Sequence, residues 1–178
     1  QGRLMVRQDK GRNWWELRAC DYYQAFERPK ILYQEIQFLP QYAQAEGPLY
    51  GNNKVFLLPT ADLYLLAVLN SPLLWWHNWR YLPHMKDEAL NPAGFRMEAL
   101  PIAEPTAEIR TQAEERVAEL LALSQEAQSQ SRELLTWLRL ELGVDQPGQR
   151  LDTFADLSGD DFVAEVRKRR PKGAPRLT

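Results

Sequence analysis

Between Pro105 and Gly143 the apolar residues Ile109, Ala113, Val117, Leu120, Leu121, Leu123, Ala127, Leu134, Leu138 and Leu142 recur at helical spacing. Proline before the run and glycine after it are the punctuation of a helix that starts and stops there. A single helix of about 36 residues would be roughly 54 Å long, more than a small compact domain can bury along its length. A break near Gln128–Ser131, or packing against another chain or domain, is therefore expected. The helix also sets the organisation of the 178-residue chain: a region over 1–103, a long helical segment over 104–143 and a short helical, basic tail over 144–178.

Charge follows the same division. Residues 1–100 carry eleven basic and ten acidic groups, residues 101–150 five and nine, and residues 151–178 six and five, the last ending in Arg167, Lys168, Arg169, Arg170, Lys172 and Arg176. The net charge of −2 thus hides a segregated distribution, and it argues against a strongly basic, non-specific nucleic-acid binder. The tail clusters cations where they either grip DNA or complement the end of a helix. A lone cysteine, Cys20, cannot close an internal disulfide, so a disulfide-stapled secreted fold is excluded and a reducing cytoplasm is the expected setting. The most apolar stretch, Val55–Trp76, is interrupted by Pro59, Asp62, Asn70, Ser71 and Pro72, and falls short of the roughly 20 apolar residues of a membrane span.

The first hundred residues have shorter signals. Trp14–Arg18 and Lys30–Phe38 have strand character, the second with Ile31, Tyr33 and Glu35 alternating against Leu32, Gln34 and Ile36. Leu39–Asn53 contains Pro40, Gly47, Pro48, Gly51 and tandem asparagines, the chemistry of a loop. Lys54–Leu58 is a short apolar strand. Thr60 or Asp62 caps a helix over Leu63–Leu69, and Asn70-Ser71-Pro72 ends it and starts another to Tyr81. Pro83–Arg96 has the composition of a long polar loop, and Asp160–Arg170 that of a short helix capped by Ser158 or Asp160.

Most catalytic chemistry has no foothold. No two glycines are separated by a single residue, which excludes a dinucleotide-binding turn, and there is no phosphate-binding loop. No lysine follows an acidic residue by two positions, so the D/E-x-K arm of a common metal-dependent nuclease is missing. With only His77, His84 and Cys20, one chain cannot assemble a four-ligand zinc site. The pairs Asp87/Glu88, Glu114/Glu115 and Asp160/Asp161 are sequence neighbours, which point apart by about 100° on a helix; solvated surface or helix N-terminal charge is their expected role. No catalytic residue and no metal ligand is assigned.

What remains is an interleaving of aromatic, amide and basic side chains: Arg12, Asn13, Trp14, Trp15, Arg18; Lys30, Gln34, Gln37; Tyr50, Asn52, Asn53, Lys54; Trp76, His77, Asn78, Trp79, Arg80. Basic side chains grip phosphates, while Arg, Asn and Gln can make paired bonds to one base edge. Trp14, Trp75 and Trp76 are expected in the core, since large aromatics dominate small cores.

The run Pro29-Lys30-Ile31-Leu32-Tyr33-Gln34-Glu35-Ile36, then Val55-Phe56-Leu57-Leu58 and Leu63-Tyr64-Leu65-Leu66-Ala67-Val68-Leu69-Asn70-Ser71-Pro72, resembles the TaqI-like C-terminal specificity domain. That domain is the target-recognition part of adenine-N6 DNA methyltransferases and of type II enzymes that fuse restriction to modification. Trp15-Glu16-Leu17-Arg18 upstream and Leu100-Pro101-Ile102 downstream are also similar, so the resemblance covers about residues 12–125.

The resemblance implies an α+β fold: a small mixed β-sheet recognition domain with packed helices, followed by a long C-terminal helix or helical pair. It implies double-stranded DNA as partner and a role in bacterial restriction-modification, positioning a target adenine for a methyltransferase domain of the same parent chain. The catalytic Asn/Asp-Pro-Pro-Tyr motif of that domain has no counterpart here, since Asn91-Pro92-Ala93-Gly94 departs from it. The chain is accordingly expected to be a C-terminal fragment that holds no cofactor itself, with S-adenosylmethionine implied for the parent. Arg12, Arg18, Lys30, Lys54, Arg80 and Arg96 are the expected grips on backbone or guanine, and Gln34, Gln41, Gln44, Asn52 and Asn53 the expected base readers. The competing expectation is a docking module whose working surface is the long helix, with the aromatic part as scaffold.

Overall fold

The computed structural model describes residues 5–6, 11–13, 15–16 and 22–171. Within them the chain is α+β, with a small antiparallel sheet ahead of a long helix. It forms two compact units, Gln1–Val117 and Ala118–Thr178.

The first unit is built on a three-stranded sheet in the order β2-β1-β3, from β1 (Lys30–Gln34), β2 (Ala43–Ala45) and β3 (Val55–Leu58). Both pairings are antiparallel, Ile31 standing opposite Gln44 and Leu58, and Leu32 opposite Ala43 and Leu57. Residues directly opposite share a face, so Ile31, Tyr33, Gln44, Phe56 and Leu58 lie on one side, and Leu32, Gln34, Ala43, Val55 and Leu57 on the other. Ile31 and Tyr33 are buried. Tyr33 stacks on Phe56 and packs on Tyr42, each at 5.4 Å between ring centroids. Burial pushes the phenols of Tyr33 and Tyr42 up to about 12.

Helices α1 (Leu63–Leu69) and α2 (Pro72–Tyr81) complete this core with Leu66, Leu69 and Leu74. Their starts follow local chemistry: the Asp62 carboxylate accepts from Leu65 N at 2.9 Å, and Ser71 Oγ accepts from Leu74 N at 3.1 Å with Pro72 at the first helical position. The 83–96 segment holds a 3-10 turn over Lys86–Glu88 and the short helix α3 (Gly94–Met97), and Leu90 exchanges backbone bonds with Gln37 at 2.8 and 3.0 Å. That bridge occupies what the sequence suggests as the second half of β1, which ends at Gln34 instead. Trp14, Leu17, Arg18 and Cys20 lie outside the described residues. Trp15 and Glu16 sit in a turn held by Asn13, whose backbone and side-chain N–H groups both reach the Glu16 carboxylate at 2.9 Å.

Helix α4 (Ala107–Leu142) is continuous through Gln128–Ser131, so the break expected there does not occur. Its first turns belong to the sheet unit: Arg110 donates to Asp62 at 3.1 Å and lies over the Tyr64 ring. Burial opposes ionisation of Asp62, but the bonds from Leu65 and Arg110 outweigh it and hold the carboxyl below its usual range.

In the second unit Leu138, Val144, Leu151 and Val166 form a core joined by Leu134, Leu135, Leu142, Leu157 and Phe162. These come from the end of α4, from α5 (Gly148–Asp152) and from α6 (Gly159–Arg169), with Val144 and Leu157 from the connections between them. Gly143, at φ +67°, ends α4 in the left-handed region that favours glycine. Helix α6 opens on the Ser158 cap with Asp160 and Asp161 in its first turn, where carboxylates meet the positive end of the helix dipole.

Among the described residues no helix is long and apolar enough to cross a membrane.

Candidate nucleic-acid interface

The expected readers fall on the sheet's exposed side and on the turn that enters β3. Gln34 ends β1 with its side chain exposed, and Gln41 is exposed just before β2. The two share a shallow groove of about 430 Å³ with Leu32, Ala43 and Val55. Asn52 and Asn53 are exposed on the turn before β3. They line a second hollow, of about 580 Å³, with Tyr22, Phe26, Val55 and Leu57. Val55 borders both depressions. Gln44 is not brought to them, because its pairing with Ile31 places it on the opposite, largely buried face, where it is half-buried.

The asparagine turn is locally determined. Asn52 Oδ1 accepts from Lys54 N at 2.9 Å, and its backbone carbonyl accepts from Val55 N at 3.1 Å, an Asx turn inside a backbone turn. Gly51 belongs to the same construction: a Cβ there would lie 2.8 Å from Val55 Cβ.

The basic residues divide sharply. Lys30 is a correction to the expectation of a phosphate grip. It is fully buried, and its ammonium donates to the carbonyls of Phe26, Arg28 and Gly47 at 2.8, 2.9 and 2.8 Å. All three of its protons are spent joining the 22–28 segment to the loop before Tyr50, which leaves none for DNA. Lys54 pairs with Glu35 across the edge of the sheet but remains largely exposed. An exposed pair of this kind is worth little and gives way easily to a phosphate. Arg12 is exposed on the segment after Gly11, and Arg80 is exposed in the last turn of α2. Arg96 is half-buried on α3 with its guanidinium 4.5 Å from the centre of the Phe95 ring. Arg18 lies outside the described residues.

Several aromatic positions depart from the sequence reading. Trp76, expected in the core, is mainly exposed, as is Leu73 beside it, while Trp75 is half-buried. Tyr22, Tyr23 and Tyr50 are exposed yet packed on one another through Phe26, a group of which the sequence points only to Tyr50. The tandem Tyr22-Tyr23 ahead of Pro29 is the signal for the rest.

The basic tail is also structurally engaged. Glu165, buried on α6, accepts from Arg169 Nε at 3.1 Å, with Lys168 at 3.7 Å and Arg150 at 4.0 Å. The Arg169 bond, opposed by burial and aided by the cations, holds the Glu165 carboxyl below its usual range. Lys168 and Arg169 therefore serve the helical unit, Arg167 is exposed, and Lys172 and Arg176 lie outside the described residues.

Residues 106–178 match a family model described as a domain of unknown function (DUF8810), less than half of the chain and entirely beyond the sheet. Neither a curated protein nor a solved structure gives a significant match.

Proposed function

We propose that the first unit is a DNA target-recognition domain that reads bases with Gln34, Gln41, Asn52 and Asn53. The observation that carries this reading is their placement: four exposed amides line two depressions that meet at Val55. Amides suit base edges because each offers a donor and an acceptor side by side. Strands and a bonded turn hold them in fixed positions, as a reading surface requires. Arg12, Lys54 and Arg80 supply phosphate contacts, so few that the isolated chain binds DNA weakly outside its own sequence. Methyl transfer and S-adenosylmethionine belong, on this reading, to a catalytic domain of the cytoplasmic bacterial parent. This chain has no glycine-x-glycine turn to cradle that cofactor, and no methyl-transfer step runs through it.

The test is selection of bound duplexes from a random library with this chain, at low and then physiological salt. Enrichment of one short motif that survives the salt increase supports the reading. Asn52→Ala or Asn53→Ala should then relax preference at one or two positions of that motif, by about 1–3 kcal/mol per lost paired contact. A folded chain that enriches nothing at either salt overturns it for this chain.

A second reading, a helical docking module, draws on a different observation. From Ala118 to Glu133 no residue of α4 is buried, and Leu120 and Leu123 are 62% and 55% exposed.

A further inference from the structure

We propose that the hollow beside β3 is a site for one unstacked nucleobase, a ligand class that the readers of a paired duplex do not require. The inference rests on the DNA-recognition reading for the source of the base, but its own argument is the shape and chemistry of the hollow.

The wall is aromatic and exposed. Tyr22, 63% exposed, and Phe26 form it, with Phe56 beside them. Tyr23 and Tyr50 support this wall from outside the hollow, packing on Phe26, which stacks on Tyr50 at 5.4 Å. Aromatic rings gathered in one place without being buried offer flat faces to a flat partner. The rim is made of amides: Asn52 commits its oxygen to Lys54 N, which leaves its NH₂ to donate, while Asn53 carries both a donor and an acceptor. The floor is Val55, Leu57 and Pro59, and among the described residues no charged side chain lines the hollow. A phosphate finds no counter-charge among these residues. A neutral ring with donors and acceptors in its plane finds a stacking face, an amide edge and an apolar floor. The volume of about 580 Å³ is in the range of sites for small ligands.

The hollow is also set before any ligand arrives. Lys30 ties Phe26 and Arg28 to Gly47 through their carbonyls, and Leu49 N donates to Phe26 O at 3.2 Å. The buried ammonium thus holds the segment that carries Tyr22 and Phe26 to the loop that leads to the asparagine rim, which lowers the ordering cost of binding.

The experiment is an NMR titration of the ¹⁵N-labelled chain with short single-stranded oligo-deoxythymidine, with free deoxyadenosine and deoxythymidine, and with the duplex motif from the selection above. The expected result is that the oligonucleotide moves the side-chain amide signals of Asn52 and Asn53, and that Tyr22→Ala weakens its binding about tenfold. Tyr22→Phe should leave binding near its original level. Asn53→Asp, which keeps the shape and adds a charge to the rim, gives a second loss should the alanine variant not fold. If the duplex motif binds while oligonucleotide and nucleosides leave the hollow unmoved, the proposal is overturned and the DNA reading stands. If the oligonucleotide moves the hollow but no duplex motif is enriched, the base site stands and the reading of paired DNA falls. Movement by nucleosides alone overturns the strand as source and keeps the nucleobase as ligand. Movement by none of the probes, with no enriched motif, overturns both.

Discussion

The side chain of Asn70, which ends α1, pairs with the backbone of Tyr42 as a strand would. Its Oδ1 accepts from Tyr42 N at 3.1 Å, and its Nδ2 donates to Tyr42 O at 3.0 Å while also reaching Leu66 O at 3.0 Å. One amide thereby satisfies both backbone groups of the residue before β2 and one carbonyl at the end of α1. The edge strand and the first helix are joined at this point.

Asn70→Ala should consequently destabilise the chain by about 2–3 kcal/mol, because it strands both backbone groups of the half-buried Tyr42 junction. Asn70→Asp should also be destabilising, since a carboxylate can accept from Tyr42 N but cannot donate to its carbonyl. Urea unfolding followed by circular dichroism measures both. Equal stability of Asn70→Ala and the parent chain would show that solvent replaces these bonds at no cost.

Lys30 gives a second prediction, one that separates a structural lysine from a DNA contact. Lys30→Met retains the apolar stem but takes the ammonium donor from the carbonyls of Arg28, Gly47 and Phe26, of which Phe26 O keeps the bond from Leu49 N. A loss of about 3 kcal/mol is expected. Lys30→Arg should fail to rescue, because a planar fork cannot direct its protons at three carbonyls converging on one nitrogen. A phosphate-gripping lysine would behave oppositely, losing DNA affinity on Lys30→Met with stability unchanged.

How far the sequence reaches can be judged on the same residues. Asp62, Ser71-Pro72, Ser158 and Gly143 mark their helix ends because capping is local chemistry, and the structure places each at the end it signals. Strand β2 was hidden: Ala43-Gln44-Ala45 has neither length nor alternation, and exists through its pairing with β1. The burial of Lys30 was hidden for a similar reason, since a lysine next to a proline and a strand gives no sign that three carbonyls will converge on it. The amides Gln34, Gln41, Asn52 and Asn53 were legible as exposed polar positions in a strand and loop. Their meeting at Val55 was not, because it follows from sheet register.

His84 supplies a pH dependence. Its Nε2 faces Trp79 O at 2.7 Å and its Nδ1 faces the Glu88 carboxylate, so both ring nitrogens meet oxygens and both bonds form only in the imidazolium. The Trp79 carbonyl first, then Glu88, raises the His84 pKa above its ordinary 6.5. A raised folded-state pKa contributes stability that is fully present below the unfolded value of 6.5 and is lost as pH rises through the folded value. Histidine ring signals followed by NMR should titrate above 6.5 for His84, and Glu88→Gln should bring the midpoint down. The bond also steadies a turn in which Asp87 and Glu88 have φ of 59° and 60°, so amide exchange over 84–90 should quicken as the ring deprotonates. A midpoint at or below the ordinary value would remove this account of the turn.

Glu165 sets the opposite dependence in the helical unit. Its carboxyl is held low by the Arg169 bond, with burial opposing and the charges of Lys168 and Arg150 assisting. A depressed folded-state pKa contributes stability that is present above the ordinary value of 4.5 and is lost as pH falls through the folded one. Between neutral pH and 4.5 the unit should hold its stability, and below that it should lose it progressively. Glu165→Gln should melt at lower temperature than the parent chain at neutral pH, because Arg150, Lys168 and Arg169 are then left without their shared anion. It should also show a flatter decline in acid, since the titrating group is gone. Both follow from thermal melts of the chain over a pH series, monitored at Trp137, the tryptophan of α4 close to the Leu138 core. If Glu165→Gln kept the full acid-induced loss, the responsible carboxylate would lie elsewhere, and the clustered cations of α6 would be free to act outside the helical unit.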